Sequence, residues 1–239
     1  IGREKAGIFR HGVPAVVLET DLPDSVLEVA AQLGTQLWRS GAQYQFSQGQ
    51  LWSWQSANHQ LLQLPKPAVP QANVAAALMA LELLQVLPDV GVLEKVLADL
   101  SLPGRMQWLS HQPAVLLDVA HNPQSAAYLA SQLTELKGRY LKIHALVGML
   151  KDKDCAQSLQ CFDGLIDQWH LVSLPGARGA TAEQLSAVFS DNSALCCYSM
   201  VQDGYQAALD ALQQDDLLVI FGSFVTVSAV LALQMETEV

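Results

Sequence analysis

The sequence predicts an α/β fold whose second half is a doubly wound, mainly parallel sheet. Three observations predict it. From residue 114 onward, short apolar runs alternate with helix-length segments. Those runs are apolar at every position rather than at every second one, as strands are when helices cover both faces. And 51% of the 239 residues are hydrophobic against 15% charged, a balance that suits a large buried core and rules out a disordered chain.

Taken in order, residues 114–117 (AVLL) read as a strand and 123–136 as a helix, with Asn122 suited to the cap and Pro123 to the first turn. Residues 143–147 (IHALV) are a strand and 155–166 a helix. Residues 169–174 are a strand, followed by PGARGA and a helix from about Ala182. Thr181 and Gln184 have the three-residue spacing of a capping box for that helix. A strand at 195–199, a helix through 205–212, a strand at 217–221 and a last helix complete the half. Five short apolar strands separated by helices make a parallel sheet. In such sheets chemistry sits at the carboxyl ends of the strands. That rule points to 118–122, 148–154, 175–179 and 222–224.

The first half is less regular. Residues 15–18 read as a strand and 24 or 25 to 33 as a helix. Segments 36–39, 44–46, 50–55 and 60–64 resemble an antiparallel patch. Pro65, Pro67 and Pro70 stiffen a loop before two helices, 73–87 and 92–100. Pro103-Gly104 punctuates a boundary, giving domains at 1–102 and 103–239.

Several classes fall away. Lys and Arg number 13 against 23 Asp and Glu, a net charge of −10 with no basic stretch, which excludes a general nucleic-acid binder. The uncharged run from Leu217 to Met235 is split by Gly222-Ser223 and reads as strand, turn and core helix rather than a membrane span. The four cysteines (155, 161, 196 and 197) include no CxxC pair and the six histidines no HxxxH pair, so free thiols in a reducing cytoplasm are expected and zinc is not. The turn DVAHNP lacks the glycines of a dinucleotide fingerprint.

Four segments carry possible chemistry, each with a plainer alternative. Asp118 and His121 lie in a strand-to-helix loop beside a helix N-terminus that favours anions, or they simply tie that loop. Arg105, behind Pro-Gly, has the forked donors that match phosphate, or is a surface residue at a turn. Lys5 in IGREKAG is either salt-bridged on a helix surface or a neutral amine that adds carbon dioxide to become a carbamate able to support Mg²⁺. Asn73 opens a helix as its cap, or its amide reads a purine edge.

In order and at sensible separations, IGREKAGIFR, PQANVAAAL, LPGRMQ, DVAHNPQSAAYL, GMLKDKD, RGATAEQL and FGSFVTV resemble the C-terminal part of the dihydrofolate synthase/folylpolyglutamate synthase family of Mur-type ligases. The resemblance covers about residues 1–233. It implies a C-terminal ligase domain of the Mur type preceded by the tail of an α/β ATPase domain. It also implies the reaction: ATP phosphorylates the terminal carboxylate of dihydropteroate or a folate, and the amine of L-glutamate displaces phosphate from the acyl phosphate. By resemblance Lys5 matches a carbamylated lysine near the metals. Asn73 matches an adenine contact, Arg105 a phosphate contact and Asp118 an ATP-binding position. His121 falls where ATP and glutamate meet, and Ser223 and Arg178 are weaker candidates for the glutamate pocket. Lys151 and Lys153 read as solvated charge beside Asp152 and Asp154. Many relatives have His where this chain has Val225, so no chemistry is assigned there.

The family's phosphate loop, resembling GTNGKGS, has no counterpart in the chain. The chain therefore reads as a fragment, with Ile1 marking a cut, the N-terminal ATPase half missing and no turnover expected from it alone. Two other readings remain: a non-catalytic module that binds a nucleotide or a protein, and a Mur-type cell-wall amino-acid ligase. On the ligase reading, replacing Asp118 or His121 by Ala is expected to cut turnover and leave the fold intact, as strand-end loop residues usually do.

Overall fold

A computed structural model describes residues 2–189 and 194–237. Ile1 lies outside the described residues. The chain divides into two compact units, Ile1–Ser101 and Leu102–Val239.

The first unit contains helix α1 (Gly2–Ala6), strand β1 (Ala15–Val17), helix α2 (Asp24–Leu33), strands β2 (Leu37–Arg39), β3 (Tyr44–Phe46), β4 (Leu51–Ser56) and β5 (Gln60–Pro65), and helices α3 (Gln71–Leu83) and α4 (Val90–Asp99). Strands β3, β4 and β5 form the expected antiparallel patch. The segment at 36–39 does not join it. Strand β2 pairs in parallel with β1 instead, with Ala15 opposite Leu37 and Val17 opposite Arg39. Alternation along so short a segment cannot specify its partner, because two three-residue strands carry almost no register information. Trp52 and Trp54 alternate inward from β4 and are essentially fully buried. Their indole N–H groups donate to the carbonyls of Pro65 (2.9 Å) and Ala75 (3.0 Å), so each large ring is buried without an orphaned donor.

The second unit contains β6 (Gln107–His111), β7 (Ala114–Leu117), α5 (Pro123–Leu136), β8 (Ile143–Val147), α6 (Cys155–Gln160), β9 (Gln168–Val172), α7 (Ala182–Ser186), β10 (Leu195–Tyr198), α8 (Val201–Ala211), β11 (Leu217–Phe221) and α9 (Phe224–Thr237). Its six-stranded sheet runs β10-β9-β8-β11-β7-β6. The five expected strands are parallel. The sixth, β6, is an antiparallel edge strand beside β7 that the sequence did not announce, because its QWLSH pattern is half polar and half-buried. Helix α6 is also shorter than the segment 155–166 suggests; the chain leaves the helix after Gln160, and Gly164 follows with φ +67°.

Every residue of β7, β8 and β11 is buried, which accounts for runs that are apolar throughout except at His144. Successive side chains fall on opposite faces. On one face Leu116, Ala145, Val147 and Val219 pack with Leu129 and Leu133 of α5, Leu159 of α6 and Leu185 of α7. On the other, Leu117, Leu146, Leu218 and Ile220 pack with Tyr205 and Ala208 of α8 and Val227 and Val230 of α9. Right-handed crossovers explain this division. The chain steps β7, β8, β9, β10 in one direction and then returns to insert β11 between β7 and β8. The return helix α8, before β11, thus lies on the face opposite the helices after β7 and β8, and α9 packs on the same face as α8. The sheet has its switch point there, and a crevice opens at the carboxyl ends of β7 and β11.

The uncharged run 217–235 is strand, glycine turn and helix, and no helix among the described residues is long and apolar enough to cross a membrane. The four cysteines are free.

At the far end of the same sheet His144, His170 and Tyr198 lie on the α8/α9 side. The two imidazoles stack at 5.8 Å and the His170 ring lies 5.9 Å from that of Tyr198. Burial and the neighbouring His144 push the His170 pKa down from 6.5 to about 4. Burial also lowers that of His144, against the opposing pull of Asp216, whose carboxylate is 3.5 Å away. A histidine depressed in the folded state stabilises the fold above its unfolded pKa, and that contribution is lost as pH falls. Stability is therefore expected to decline from pH 6.5 towards 4, with His170 contributing up to about 3 kcal/mol. Urea midpoints across this range check it: His170→Phe should flatten the slope.

Candidate functional site

The crevice is built from three loops. The first is the Pro103–Met106 turn leading into β6. Gly104 has φ +66°, and a Cβ there would meet the Val119 side chain at 2.8 Å, so the turn needs glycine both for conformation and for space. Its amide donates to the Gln107 side chain (2.8 Å), and its carbonyl accepts from the Val119 amide (2.8 Å).

The second loop follows β7. Asp118 is 6% exposed. One carboxylate oxygen accepts from the Met106 amide (3.0 Å) and the other from the Ala120 amide (2.8 Å). The side chain therefore ties the Arg105 turn to the end of β7. Burial pushes its pKa up, opposed by those two amides and by the charges of Arg105 and His121. The expectation that Asp118 can be replaced at little cost to the fold is corrected here: its removal leaves two backbone donors, one buried and one half-buried, without their acceptor. His121 is half-buried, and its Nδ1 lies 2.7 Å from the Val119 carbonyl. A carbonyl can only accept, so Nδ1 carries a proton, and Nε2 is the ring nitrogen left to exchange one with a ligand. Asn122 caps α5 as the sequence suggests, its side chain accepting from the Ser125 amide (2.9 Å) in a capping box, with Pro123 in the first turn.

The third loop follows β11. Gly222 has φ +109°, and a Cβ there would lie 2.6 Å from the Gly148 carbonyl. Ser223 is 3% exposed; its hydroxyl accepts the Thr226 amide (3.0 Å) at the start of α9, while Thr226 Oγ1 donates to the Gly148 carbonyl (2.7 Å). Ser223 thus caps α9 from inside the protein.

The structure brings Arg105, Asp118 and His121 together. Phe224, the first residue of α9 and the last of the strand-end segment 222–224, links Arg105 to His121. The Arg105 guanidinium carbon lies 5.3 Å from its ring centroid, and the His121 ring lies 6.4 Å away. The available signal was an aromatic residue directly after a Gly-Ser turn at a strand's carboxyl end. The N-termini of α5 and α9 open on the same edge, so two helix dipoles and one guanidinium favour an anion there.

Arg178 is placed differently. It sits on the loop after β9, 71% exposed, and pairs with Asp152 on the loop after β8 at 3.0 Å. Asp152 also pairs with Lys153 at 3.0 Å, and the two cations hold its pKa below the ordinary carboxylate range.

In the first unit, Lys5 stands exposed on α1 while Ala6 faces inward, and no ion pair engages Lys5 among the described residues. Asn73 is the third residue of α3, not its cap. Pro70 holds the cap position and Asn73 is exposed. Prolines at 67 and 70 start the helix earlier than the Ala/Leu run suggests. No group of three or more His, Cys, Asp or Glu among the described residues is arranged to hold a metal ion. These residues by themselves do not fit the expected Mg²⁺.

Comparison with known proteins adds the following. Residues 104–224 match the family model "Mur ligase, glutamate ligase domain". The chain is 38% identical over 234 residues to the dihydrofolate synthase/folylpolyglutamate synthase of Escherichia coli, covering 97% of this chain and 54% of that protein. It is similar to Escherichia coli FolC in complex with DHPP and ADP, with a TM-score of 0.90 and 36% identity over 100% of this chain and 57% of that one. It is also similar to the bifunctional folylpolyglutamate synthase/dihydrofolate synthase crystallised with Mn, AMPPNP and L-glutamate bound, with a TM-score of 0.88 and 42% identity over 98% of this chain and 56% of the other. The chain spans about half the length of the curated relatives it matches.

Proposed function

Because the chain belongs to the Mur ligase family, through its glutamate ligase domain, we propose that it serves an ATP-dependent ligase that adds L-glutamate to dihydropteroate, to folates or to both through an acyl phosphate. The observation that carries this reading is the gathering of Arg105, Asp118 and His121 at the switch point, between two helix N-termini, in a chain whose relatives hold ADP and L-glutamate. That pattern in the relatives supports the folate branch over a cell-wall ligase or a non-catalytic module.

Arg105 presents its in-plane donors to phosphate oxygens, and the α5 and α9 N-termini add their partial positive charge. Asp118 holds the Arg105 turn in place. The attacking glutamate amine must shed a proton as its nitrogen bonds to the acyl carbon and phosphate departs with the carbon–oxygen bond electrons. His121 Nε2 accepts that proton, with Nδ1–H anchored on Val119. Ser223 and Arg178 serve the glutamate side, Ser223 by setting the first turn of α9 and Arg178 as an exposed cation for a carboxylate. In the first unit, Lys5, as a carbamate, and Asn73, at the adenine, are the candidate contacts. Mg²⁺ finds no ready ligand set among the described residues, and no step here runs through it.

With ATP, Mg²⁺, dihydropteroate and L-glutamate, the chain alone is expected to release no phosphate above background, since it holds no phosphate loop. Placed in a chimera with the remaining portion of the Escherichia coli relative, it should restore glutamate-dependent ADP formation. A folded chimera that binds ATP yet never transfers glutamate would refute the assignment.

A further inference from the structure

Phe224 is 60% exposed, an unusual setting for a large aromatic side chain that contributes nothing to the core. Its backbone is held closely. Gly222 donates to the Ala120 carbonyl (2.9 Å), the Ser223 hydroxyl takes the Thr226 amide, and Thr226 is pinned to the Gly148 carbonyl. The ring is therefore presented from a rigid helix start rather than from a loop.

Arg105 is the reverse case. Its backbone sits in a turn, and its long side chain has no ion pair or hydrogen bond among the described residues. Its contact is the face of Phe224, at 5.3 Å. A guanidinium held over a ring face by its charge keeps in-plane donors available to an acceptor beside the ring. The His121 imidazole approaches the same ring at 6.4 Å, tilted by 49°.

We propose that Phe224 is a positioning residue: its ring fixes the Arg105 guanidinium by the face so that the in-plane donors meet a phosphate oxyanion at the switch-point crevice. The role rests on the ligase reading given above, and it adds a residue whose effect passes through Arg105. It also accounts for the exposure of the ring, whose value lies in what it holds rather than in burial.

ADP binding to the chimera with the remaining portion of the Escherichia coli relative, followed by calorimetry, tests this with four variants. Phe224→Leu keeps apolar volume but removes the aromatic face, and should weaken ADP by about three- to tenfold. Phe224→Tyr should bind as the unmutated chimera does. Arg105→Ala should weaken ADP at least as much as Phe224→Leu, and the double variant should be no weaker than Arg105→Ala, because the two act as one unit. The Arg105 Nε–Hε NMR signal should lose its ring-current shift in Phe224→Leu and keep it in Phe224→Tyr, a readout that a general structural role would not move. Unchanged thermal melts are expected, since an exposed ring leaves no cavity. If ADP binds the unmutated chimera and Phe224→Leu equally, the positioning role is wrong while the functional reading stands. If Arg105→Ala binds ADP as the unmutated chimera does, or that chimera binds no ADP, the phosphate assignment fails and the role of Phe224 falls with it.

Discussion

Asp118→Ala is expected to destabilise the second unit by roughly 2–4 kcal/mol, because one buried and one half-buried backbone amide lose their acceptor, and a fully buried one costs about 1–3 kcal/mol. The two amides belong to Met106 and Ala120, and the carboxylate that serves them is 6% exposed, so water cannot easily replace it. Asp118→Asn should cost about half as much, since one amide oxygen still accepts while the amide nitrogen faces a donor. Urea and thermal melts of the three proteins measure this. Matching midpoints for Ala and native proteins would disprove the tie. The consequence for function is direct. Lost turnover in Asp118→Ala reports the collapse of the Arg105 turn as much as any contact with nucleotide, so the asparagine variant is the informative one.

His121→Ala should lower glutamate-dependent turnover in the chimera by about 10²–10³-fold, the range for removing a positioned proton acceptor. Stability should change little. The imidazole is half-buried, and its ring hydrogen bond among the described residues is the single one to the Val119 carbonyl at 2.7 Å, so its removal leaves one acceptor unserved and no large cavity. ADP affinity should hold within a fewfold while kcat falls, and added imidazole should restore part of the rate. A fall in ADP affinity with kcat intact would place His121 at the nucleotide instead of the amine. Asp118 and His121 are three residues apart in one loop, yet the structure separates their consequences: one is chiefly a stability effect and the other chiefly a rate effect.

Much of the second unit was readable in advance, for a local reason. Strands β7 and β11 are buried on both faces, so their apolar runs have no polar interruption, and β8 is interrupted only at the buried His144. The caps at Asn122-Pro123 and Thr181/Gln184 satisfy backbone donors within three residues, and the sequence carries both partners of each bond. What was not readable depended on distant partners. Strand β6 is an edge strand with half-buried residues, and its pairing is set by β7 alone. Strand β2 was assigned to the wrong neighbours because its partner β1 lies some twenty residues upstream. Asn73 was taken as a helix start because the prolines before it read as loop, whereas Pro70 already occupies the cap.

The same distinction runs through the site. Asp118, His121, Arg105 and the Gly222-Ser223 turn were all named from their motifs, but their division of labour was not. Whether Asp118 ties the loop or meets a ligand depends on a turn twelve residues away. That Ser223 faces inward depends on Thr226 reaching Gly148, seventy-eight residues distant from it. Phe224 lies in the segment 222–224 that the strand-end rule marks, but its role was unreadable because its partners, Arg105 and His121, come from two other loops.

By itself the sequence determined the fold class, the parallel strands, the caps and the family, since these follow from the order of apolar, helix-starting and motif residues along the chain. Only the tertiary structure decided the strand order, the edge strand, and which side chain holds which. Those choices come from return crossovers and from hydrogen bonds between segments, whose partners lie too far apart in the chain for any local pattern to encode them.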